Sequence, residues 1–389
     1  MITWREAVVE ALGPSWGGAH ELTVRTTRGE ELRALAYLEV SGAPRVGQRV
    51  LVTTGALAKG LGTGGYAFVV VAPEDLPADP PPAPGHLVKD RYSPLQRVVL
   101  GVDDEESEHH GVLRDADDLE AMPVVTADLH SALPAIVAGV RHGALRSGRP
   151  LPRVAYVMTD GGAIPAAFSR TVAGLREAGW LEATVTVGQA HGGDLEAVTV
   201  HTGLLAARHV VGADVTVVVQ GPGNLGTGTR WGFSGVAAGE AVNAAGVLGG
   251  RPVASLRVSG ADPRERHLGV SHHSLTAYGR VALVPADVVV PEFAVGPVLG
   301  VPDDDGVPPL EPGSLAWLGA RVRQQVAALV EPAGRHRLVE VEAGGELLTA
   351  LGTSPVRLST MGRSLDDDPG AFLAAAVAGV HAAELVVGA

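Results

Sequence analysis

Five apolar segments of this chain each end in a short polar tip whose side chains can bind a ligand or move a proton. The tips combine carboxylates, imidazoles, amides and hydroxyls with glycine, so that side chains and backbone can both approach a small molecule. If the segments are parallel strands of one sheet, their tips share its carboxyl edge, where open α/β folds bind ligands. The tips are residues 126–130, 159–162, 189–194, 220–224 and 259–262.

The tip at 220–224 opens a G-x-G-x-x-G sequence, which can hold a phosphate on its backbone N–H groups when a helix follows. The segment after it stays rich in glycine, Pro222 removes one donor, and the next strand ends too late for the acid that binds ribose in NAD sites. A loop that contacts a polar or anionic ligand, a dinucleotide site and a structural turn are therefore all open interpretations. The predicted ligand contacts are Gly221, Gly223, Asn224, Gly226, Thr227 and Thr229.

Carboxylate and imidazole groups stand at three further tips. Asp128 and His130 can ligate Mg²⁺, Mn²⁺, Fe²⁺ or Zn²⁺ or act as a base and its partner, or Asp128 can cap a helix while His130 packs. Asp160 precedes two glycines and can bind a hydroxyl or a metal, or cap the next helix. His191 lies in a loop and is the better functional candidate there, whereas a cap is the favoured role for Asp194.

The densest group of histidines lies in 264–274, directly after the tip that ends at Asp262. Metal binding, acid–base chemistry by His272 and His273, and phosphate binding by Arg264 are compatible with these residue types. A solvated polar loop is the alternative. We expect the side chains of adjacent histidines to diverge, so that two neighbours seldom bind one metal.

These choices give one set of candidate residues for chemistry. The predicted catalytic residues are Asp128, His130, Asp160, His191, His272 and His273, and the predicted metal ligands are Asp128, His130, Asp262 and His272. The chain has no G-x-S-x-G, GxxxxGK[ST] or HExxH sequence, which argues against common serine hydrolases, P-loop NTPases and zincins.

The elements that must position these residues alternate between strand and helix from about residue 121. This order predicts right-handed βαβ units and a doubly wound, mainly parallel sheet with helices on both faces. The predicted strands are 123–127, 153–159, 183–188, 214–220, 253–259, 280–284, 337–342 and 355–360. The predicted helices are 129–141, 163–178, 194–210, 233–248, 314–330 and one from about 369, for which Asp368 is the expected N-cap.

The first part of the chain predicts a separate domain. Residues 1–75 contain five short apolar runs divided by glycine and proline, which favours a small β-barrel-like domain. A proline-rich linker at 76–92 follows, and an α/β domain at 93–389 completes the predicted organisation.

Composition limits the environment and the partners. Hydrophobic residues make up 46% and aromatic residues 4% of the 389 residues, so the core must be aliphatic. A net charge of −13 disfavours nonspecific binding to nucleic acid or anionic membranes, and the absence of cysteine excludes disulfides and thiolate chemistry. We therefore expect a cytoplasmic protein with a small-molecule ligand and neither a nucleic-acid nor a membrane partner. Self-association would suit a large aliphatic α/β domain, and no subunit number follows.

Seven sequence strings carry a family resemblance. They are RYSPLQ (91–96), MPVV (122–125), LHS (129–131), MTDG (158–161), GGDLEAV (192–198), GPGNLGTGT (221–229) and SHH (271–273). Together they resemble, over nearly the whole chain, an actinobacterial family, the domain-of-unknown-function family numbered 3866. The resemblance implies a bacterial cytoplasmic protein, and it implies no reaction, cofactor or catalytic residue.

Three hypotheses for function follow. The first is an enzyme that acts on a small polar or phosphorylated metabolite at the sheet edge, with a metal-dependent hydrolase as its specific form and a divalent metal as its cofactor. The second is a non-catalytic sensor or scaffold that binds a nucleotide-like metabolite in the α/β unit and transmits the change through the β domain. The third, an NAD-type oxidoreductase, is opposed by the spacing after the glycine motif.

Overall fold

Five strands at the start of the chain close into a barrel in the order β1-β2-β3-β5-β4. The computed structural model describes residues 2–62, 64–293, 310–311, 313–330 and 334–386. Small aliphatic side chains such as Ala7, Val9 and Val52 fill the barrel interior, which is why so short a segment can form its own core. The strands are β1 (Trp4–Trp16), β2 (Ala19–Thr26), β3 (Glu31–Tyr37), β4 (Arg49–Thr53) and β5 (Ala67–Val71), with helix α1 (Leu38–Ser41) after β3.

A hairpin of β6 (Leu87–Lys89) and β7 (Arg97–Val99), followed by helix α2 (His110–Leu113), connects the barrel to the rest of the chain. The ammonium of Lys89 is buried and donates to the backbone oxygens of Thr186 and Ala190 at 2.9 and 2.7 Å and to the carboxylate of Glu196 at 2.7 Å. Burial lowers the pKa of Lys89, while Glu196 acts in the opposite direction. The domain boundaries at 75 and 92 stay a prediction.

An eight-stranded sheet forms the centre of the larger part, and all of its neighbouring strands are parallel. Its order is β11-β10-β9-β12-β8-β13-β16-β17. The strands after β7 are β8 (Pro123–Thr126), β9 (Val154–Thr159), β10 (Ala183–Thr186), β11 (Leu195–Glu196), β12 (Val215–Gln220), β13 (Arg251–Ser255), β14 (Val258–Ser259), β15 (Gly269–Val270), β16 (Asp287–Phe293), β17 (Arg337–Ala343), β18 (Ser359–Thr360) and β19 (Arg363–Ser364). The predicted fold class, a doubly wound α/β sheet after a small barrel, is confirmed.

Helices cover both faces of this sheet because its strands are apolar on both sides. Val125 and Val217 belong to a core cluster that includes α3 and α10. Their neighbours Val124 and Val218 belong to a second cluster that includes α5 and one edge of α6. The helices after α2 are α3 (Leu133–Arg146), α4 (Arg170–Glu177), α5 (Val200–His209), α6 (Ala237–Val247), α7 (His272–Thr276), α8 (Leu315–Val330), α9 (Gly345–Gly352) and α10 (Pro369–Leu385). Within the described residues, no helix is both long and apolar enough to cross a lipid bilayer.

The strand order creates a crevice at the carboxyl edge of β8 and β13. After β8 the chain moves towards β9 on one side of the sheet, and after β13 it moves towards β16 on the other side. Connections that leave adjacent strands in opposite directions open a space between their loops, which is the usual ligand position in this class of fold.

The strand predicted at 280–284 is wrong. The chain forms a π-helical turn at Ala277–Val281 instead, and the sheet strand is β16. Gly239 of α6 lets the backbone of this turn approach closely, since a Cβ there would lie 2.3 Å from the backbone oxygen of Ala277. A short apolar run can pack against a helix as well as within a sheet, and its period does not separate the two cases.

Smaller differences concern the ends of elements. The predicted helices at 163–178 and 194–210 begin later, at Arg170 and Val200, where Ser169 and Thr199 accept a backbone N–H as N-caps. Of the strand predicted at 355–360, only β18 is present. Asp368 precedes α10 but makes no side-chain cap bond, because its carboxylate is bound elsewhere.

Candidate functional site

A cleft with a volume of about 430 Å³ opens at the carboxyl edge of the sheet. Its walls come from the segments after β8, β12, β13 and β14 and from the start of α7, with contributions from Thr171 in α4 and Ser359 in β18. Among the described residues that line it, histidine and arginine carry the ionisable groups, and no carboxylate is present. These side chains are His130, His267, His272, His273, Arg257, Arg264 and Arg266.

Three histidines converge in this cleft. One ring nitrogen from each of His267, His272 and His273 lies within 4.8 Å of the other two. The ring centroids of His272 and His273 are 4.4 Å apart, so these adjacent side chains do not diverge as expected. The ring of Phe233 stacks on His273 at 3.8 Å and 2° and fixes its plane.

Ser271 explains how the local sequence brings the histidines together. Its buried hydroxyl accepts the backbone N–H of His273 as the N-cap of α7 and lies 2.8 Å from Nδ1 of His267. The pairing of β14 with β15 closes the loop between them, so that His267 returns to the start of α7. One serine therefore orients both the helix and the third imidazole.

The electrostatics of the cleft keep two of these histidines neutral. Burial, together with Arg257 and Arg264, lowers the pKa of His267 to about 3. Burial, together with His273 and Arg266, lowers the pKa of His272 to about 4. Neutral imidazole is the form that ligates metals.

Asp128 lies directly behind the three histidines. It is 3% exposed, and its Oδ2 atom is 3.4 Å from Nδ1 of His273 and 3.5 Å from Nη1 of Arg257. Burial alone would raise the pKa of Asp128, but His273 and Arg257 outweigh burial and lower it. The alternative role as a helix cap does not apply, because α3 starts after Ala132.

Buried polar atoms without a partner concentrate at this site. Among the described residues, those without a hydrogen bond of good geometry are Nε of Arg97, Oδ2 of Asp128, Oγ1 of Thr184, Oε1 of Gln220 and Nε2 of His272. Gln220 and His272 line the cleft and Asp128 lies behind it. Because proteins rarely leave buried polar atoms unpaired, such a group indicates a bound ion, water or ligand.

Asp262 is engaged by arginine. Its carboxylate accepts Nε and Nη2 of Arg264 at 2.9 and 2.8 Å, and Arg363 lies 3.5 Å away. The hydrogen bond from Arg264 is the main cause that lowers the pKa of Asp262. Asp262 therefore holds Arg264 at the cleft and does not face the converging imidazoles as a free ligand.

His130 forms part of the cleft wall with both of its nitrogens occupied. Nε2 lies 2.8 Å from Oγ of Ser169, and Nδ1 lies 3.2 Å from the hydroxyl of Tyr156 and 3.3 Å from the backbone oxygen of Gln220. Burial lowers the pKa of His130 to about 4. This neutral, hydrogen-bonded ring does not join the three-histidine cluster.

The glycine motif forms another wall of the cleft. Gly223, Asn224 and Gly226 line it, while the loop folds back through a bridge between Gly226 and Phe233. The amide oxygen of Asn224 accepts Nε2 of Gln220 at 3.1 Å and Oγ of Ser234 at 2.8 Å. Because α6 begins only at Ala237, no helix N-terminus supports a phosphate directly at the motif.

The other predicted ligand contacts of the loop, Gly221, Thr227 and Thr229, do not line the cleft. The backbone N–H of Ala163 donates to the backbone oxygen of Pro222. A Cβ on the neighbouring Gly221 would lie 2.3 Å from the backbone oxygen of Ala163, so the two segments approach closely here. The hydroxyls of Thr227 and Thr229 lie 3.2 Å apart in an exposed part of the loop.

Asp160 and His191 do not line the cleft. Oδ2 of Asp160 accepts the backbone N–H of Gln189 at 2.8 Å, which ties together the loops after β9 and β10. His191 is buried beside this loop, where burial and Arg97 lower its pKa to about 4. Asp194 pairs with Arg176 at 2.9 Å and accepts the N–H of Thr184 at 2.7 Å, so it is not a helix cap.

Sequence reasoning missed Arg257 and His267. Arg257 interrupts an apolar run after β13, and a single charge in such a position is a signal of a buried partner. His267 lies in the dense segment 264–274, but its spacing does not reveal that a β-hairpin returns it to His272.

Comparison with known proteins identifies one relationship. The family model described as Protein of unknown function (DUF3866) matches residues 33–379. No curated protein and no solved structure gives a significant match.

Proposed function

Since this chain belongs to the DUF3866 family, whose function is unknown, we propose from the cleft itself that the protein is a metal-dependent hydrolase of a small polar metabolite. The observation that carries this proposal is the convergence of His267, His272 and His273 within 4.8 Å of one another. The Nε2 atom of one of these three, His272, is buried without a hydrogen-bond partner.

The ligand set favours a transition metal over Mg²⁺ or Ca²⁺. Three imidazoles suit Zn²⁺, Fe²⁺ or Co²⁺, whereas Mg²⁺ and Ca²⁺ prefer oxygen ligands, and no carboxylate is among the described lining residues. Zinc–imidazole bonds of about 2.0–2.1 Å in a tetrahedron would bring the three nitrogens to about 3.3 Å from one another. The observed nitrogen–nitrogen separations are all within 4.8 Å, and small rotations of the side chains can bring them to this value.

Three protein ligands leave coordination positions open for water and substrate, which is the pattern of catalytic zinc sites. Such a metal lowers the pKa of its bound water and so supplies a nucleophile at neutral pH. Asp128 would orient His273, and the loop with Asn224 would confine the substrate on the opposite wall.

The test is metal content compared between matched variants. Wild-type protein, H272A and H201A are stripped with chelator, loaded with zinc, desalted and measured by elemental mass spectrometry. His201 is an exposed residue of α5 away from the cleft, so its replacement controls for adventitious binding. We expect one zinc per chain in wild type and H201A and at least a tenfold lower zinc content in H272A.

The same samples separate an enzyme from a sensor. Zinc-loaded wild type is incubated with a panel of chromogenic phosphate esters, carboxylate esters and amides, and H272A is the negative control. Turnover that disappears in H272A supports the hydrolase. Equal zinc retention by wild type and H272A contradicts the metal site, and stoichiometric zinc with tight metabolite binding and no turnover favours the sensor hypothesis.

A further inference from the structure

The charged side chains that line the cleft are basic, although the chain as a whole is acidic. The whole chain carries a net charge of −13, yet Arg257, Arg264 and Arg266 all line this one cavity. No carboxylate is among its described lining residues. Concentrating cations in a cleft attracts an anion and raises its local concentration.

The three arginines differ in how many of their N–H donors remain free to bind an anion. Arg257 is nearly buried, with Nη1 3.0 Å from His273 and 3.5 Å from Asp128. Arg264 uses Nε and Nη2 on Asp262, which fixes its plane and leaves Nη1 free of that carboxylate. Arg266 forms no ion pair with any carboxylate of the described residues and is exposed.

We propose that the cleft binds a phosphoryl group, so that the substrate is a small phosphate monoester. Arg264 is preorganised by Asp262, and Arg266 pairs with no carboxylate in the described part of the chain, so both can donate to oxygen atoms of a tetrahedral dianion. A phosphate dianion brings more charge and more oxygen atoms than a carboxylate, so it is the better match for Nη1 of Arg264 together with the whole guanidinium group of Arg266. The hydroxyls of Ser131, Thr171 and Ser359 in the same cleft can bind the remainder of the substrate.

This inference rests on the proposed function for the reaction and on the arginines alone for binding. In the reaction, the water oxygen forms a bond to phosphorus, the bond from phosphorus to the alcohol oxygen breaks, and the water proton passes to that oxygen. The products are inorganic phosphate and an alcohol, and no oxidant or reductant is required. Guanidinium groups neutralise the charge that spreads over the phosphoryl oxygens in such a transfer.

The experiment measures binding of inorganic phosphate by titration calorimetry at pH 8 and constant ionic strength, with and without zinc. Wild type is compared with R266Q and with the control R28Q, because Arg28 is an exposed barrel residue without a side-chain ion pair among the described residues. Acetate is the comparison anion. We expect phosphate to bind at least tenfold more tightly than acetate, and R266Q but not R28Q to weaken it about tenfold.

Every outcome decides between the proposals. Zinc retention without phosphate binding overturns the phosphoryl site and leaves the metal site standing. Phosphate binding that R266Q weakens, in a protein that retains no zinc, supports the anion site and overturns the metal proposal. Equal affinity for acetate and phosphate, or equal affinity of R266Q and wild type for phosphate, overturns the assignment of these arginines. A thermal melt of R266Q excludes unfolding as the cause of lost binding.

Discussion

The Oδ2 atom of Asp128 lies 3.4 Å from Nδ1 of His273, and Nη1 of Arg257 lies 3.0 Å from the same nitrogen. A guanidinium only donates and a carboxylate only accepts, so the two contacts require different protonation states of Nδ1. If His273 binds a metal through Nε2, its proton must be on Nδ1, and that proton can only go to Asp128. Asp128 is then a positioning residue that selects the metal-binding tautomer.

Replacing Asp128 by Asn tests this role. The amide keeps the size of the side chain but loses the charge that favours a proton on Nδ1, so zinc affinity should fall about 10- to 100-fold. The measurement is zinc competition with a chromophoric chelator, and D115N at an exposed aspartate is the matched control. Imidazole nitrogen NMR adds a specific readout, because zinc should leave His273 protonated on Nδ1 in wild type. Zinc affinity of D128N within twofold of wild type would contradict the assignment.

Asp368 should matter for stability although it caps nothing. Its carboxylate accepts Oγ of Ser259 at 2.5 Å, the N–H of Gly260 at 3.0 Å and Nε of Arg363 at 3.1 Å, which joins the start of α10 to the loop after β14. D368N breaks a buried ion pair and should lower the free energy of unfolding by about 3 kcal/mol. Urea unfolding measures this, and D366N, at an exposed neighbour, should stay within about 0.5 kcal/mol of wild type. Equal losses in the two variants would refute the role.

The sequence predicts the fold correctly where local patterns decide the structure. Short apolar runs between glycine and proline predict the barrel, and long aliphatic strands with helices between them predict a parallel sheet covered on both faces. The exception at 280–284 shows the limit, since the contact that decides it is the close approach of Gly239 to Ala277, two residues far apart in the chain.

The candidate site can be predicted only in part, because the sequence indicates the polar tips but not the order of the strands in the sheet. Asp128 follows β8, and His272 and Arg264 belong to the segment that follows β13, and these two strands are adjacent at the crevice. Asp160 and His191 follow β9 and β10, on the far side of β12 from that crevice, and nothing in their own sequence reports this position.

The ionised side chain of Asp287 should stabilise the fold in a pH-dependent manner. It accepts Nε and Nη2 of Arg337 at 2.7 and 2.6 Å and Nε2 of His381 at 2.8 Å, which connects β16, β17 and α10. Burial would raise the pKa of Asp287, but Arg337 and His381 outweigh burial and lower it. Since the pKa is lower in the folded than in the unfolded chain, the stabilisation is complete above the unfolded value of about 4 and is lost as pH falls below it.

The measurement is urea unfolding of wild type and D287N between pH 7 and pH 3. We expect D287N to be less stable by about 1.5–3 kcal/mol at pH 7, the range for hydrogen bonds to a charged group. The difference should shrink only below about pH 4. A difference that is the same at pH 7 and pH 3 would show that the charge of Asp287 is not its source.

The contact between α3 and α10 depends on two glycines that face each other's backbone. A Cβ on Gly379 would lie 2.0 Å from the oxygen of Ile136, and a Cβ on Gly139 would lie 1.9 Å from the oxygen of Ala376. Intrinsic propensity alone predicts that alanine in a helix is better than glycine by about 1 kcal/mol. Here the methyl group meets rigid backbone, so G379A must push the helices apart, and we expect a net loss of about 2 kcal/mol in the free energy of unfolding. The matched control is G345A in α9, where a Cβ meets nothing within 4 Å and the substitution should be neutral or stabilising. If chemical denaturation finds G379A as stable as G345A, the two helices are not held at this distance by their glycines.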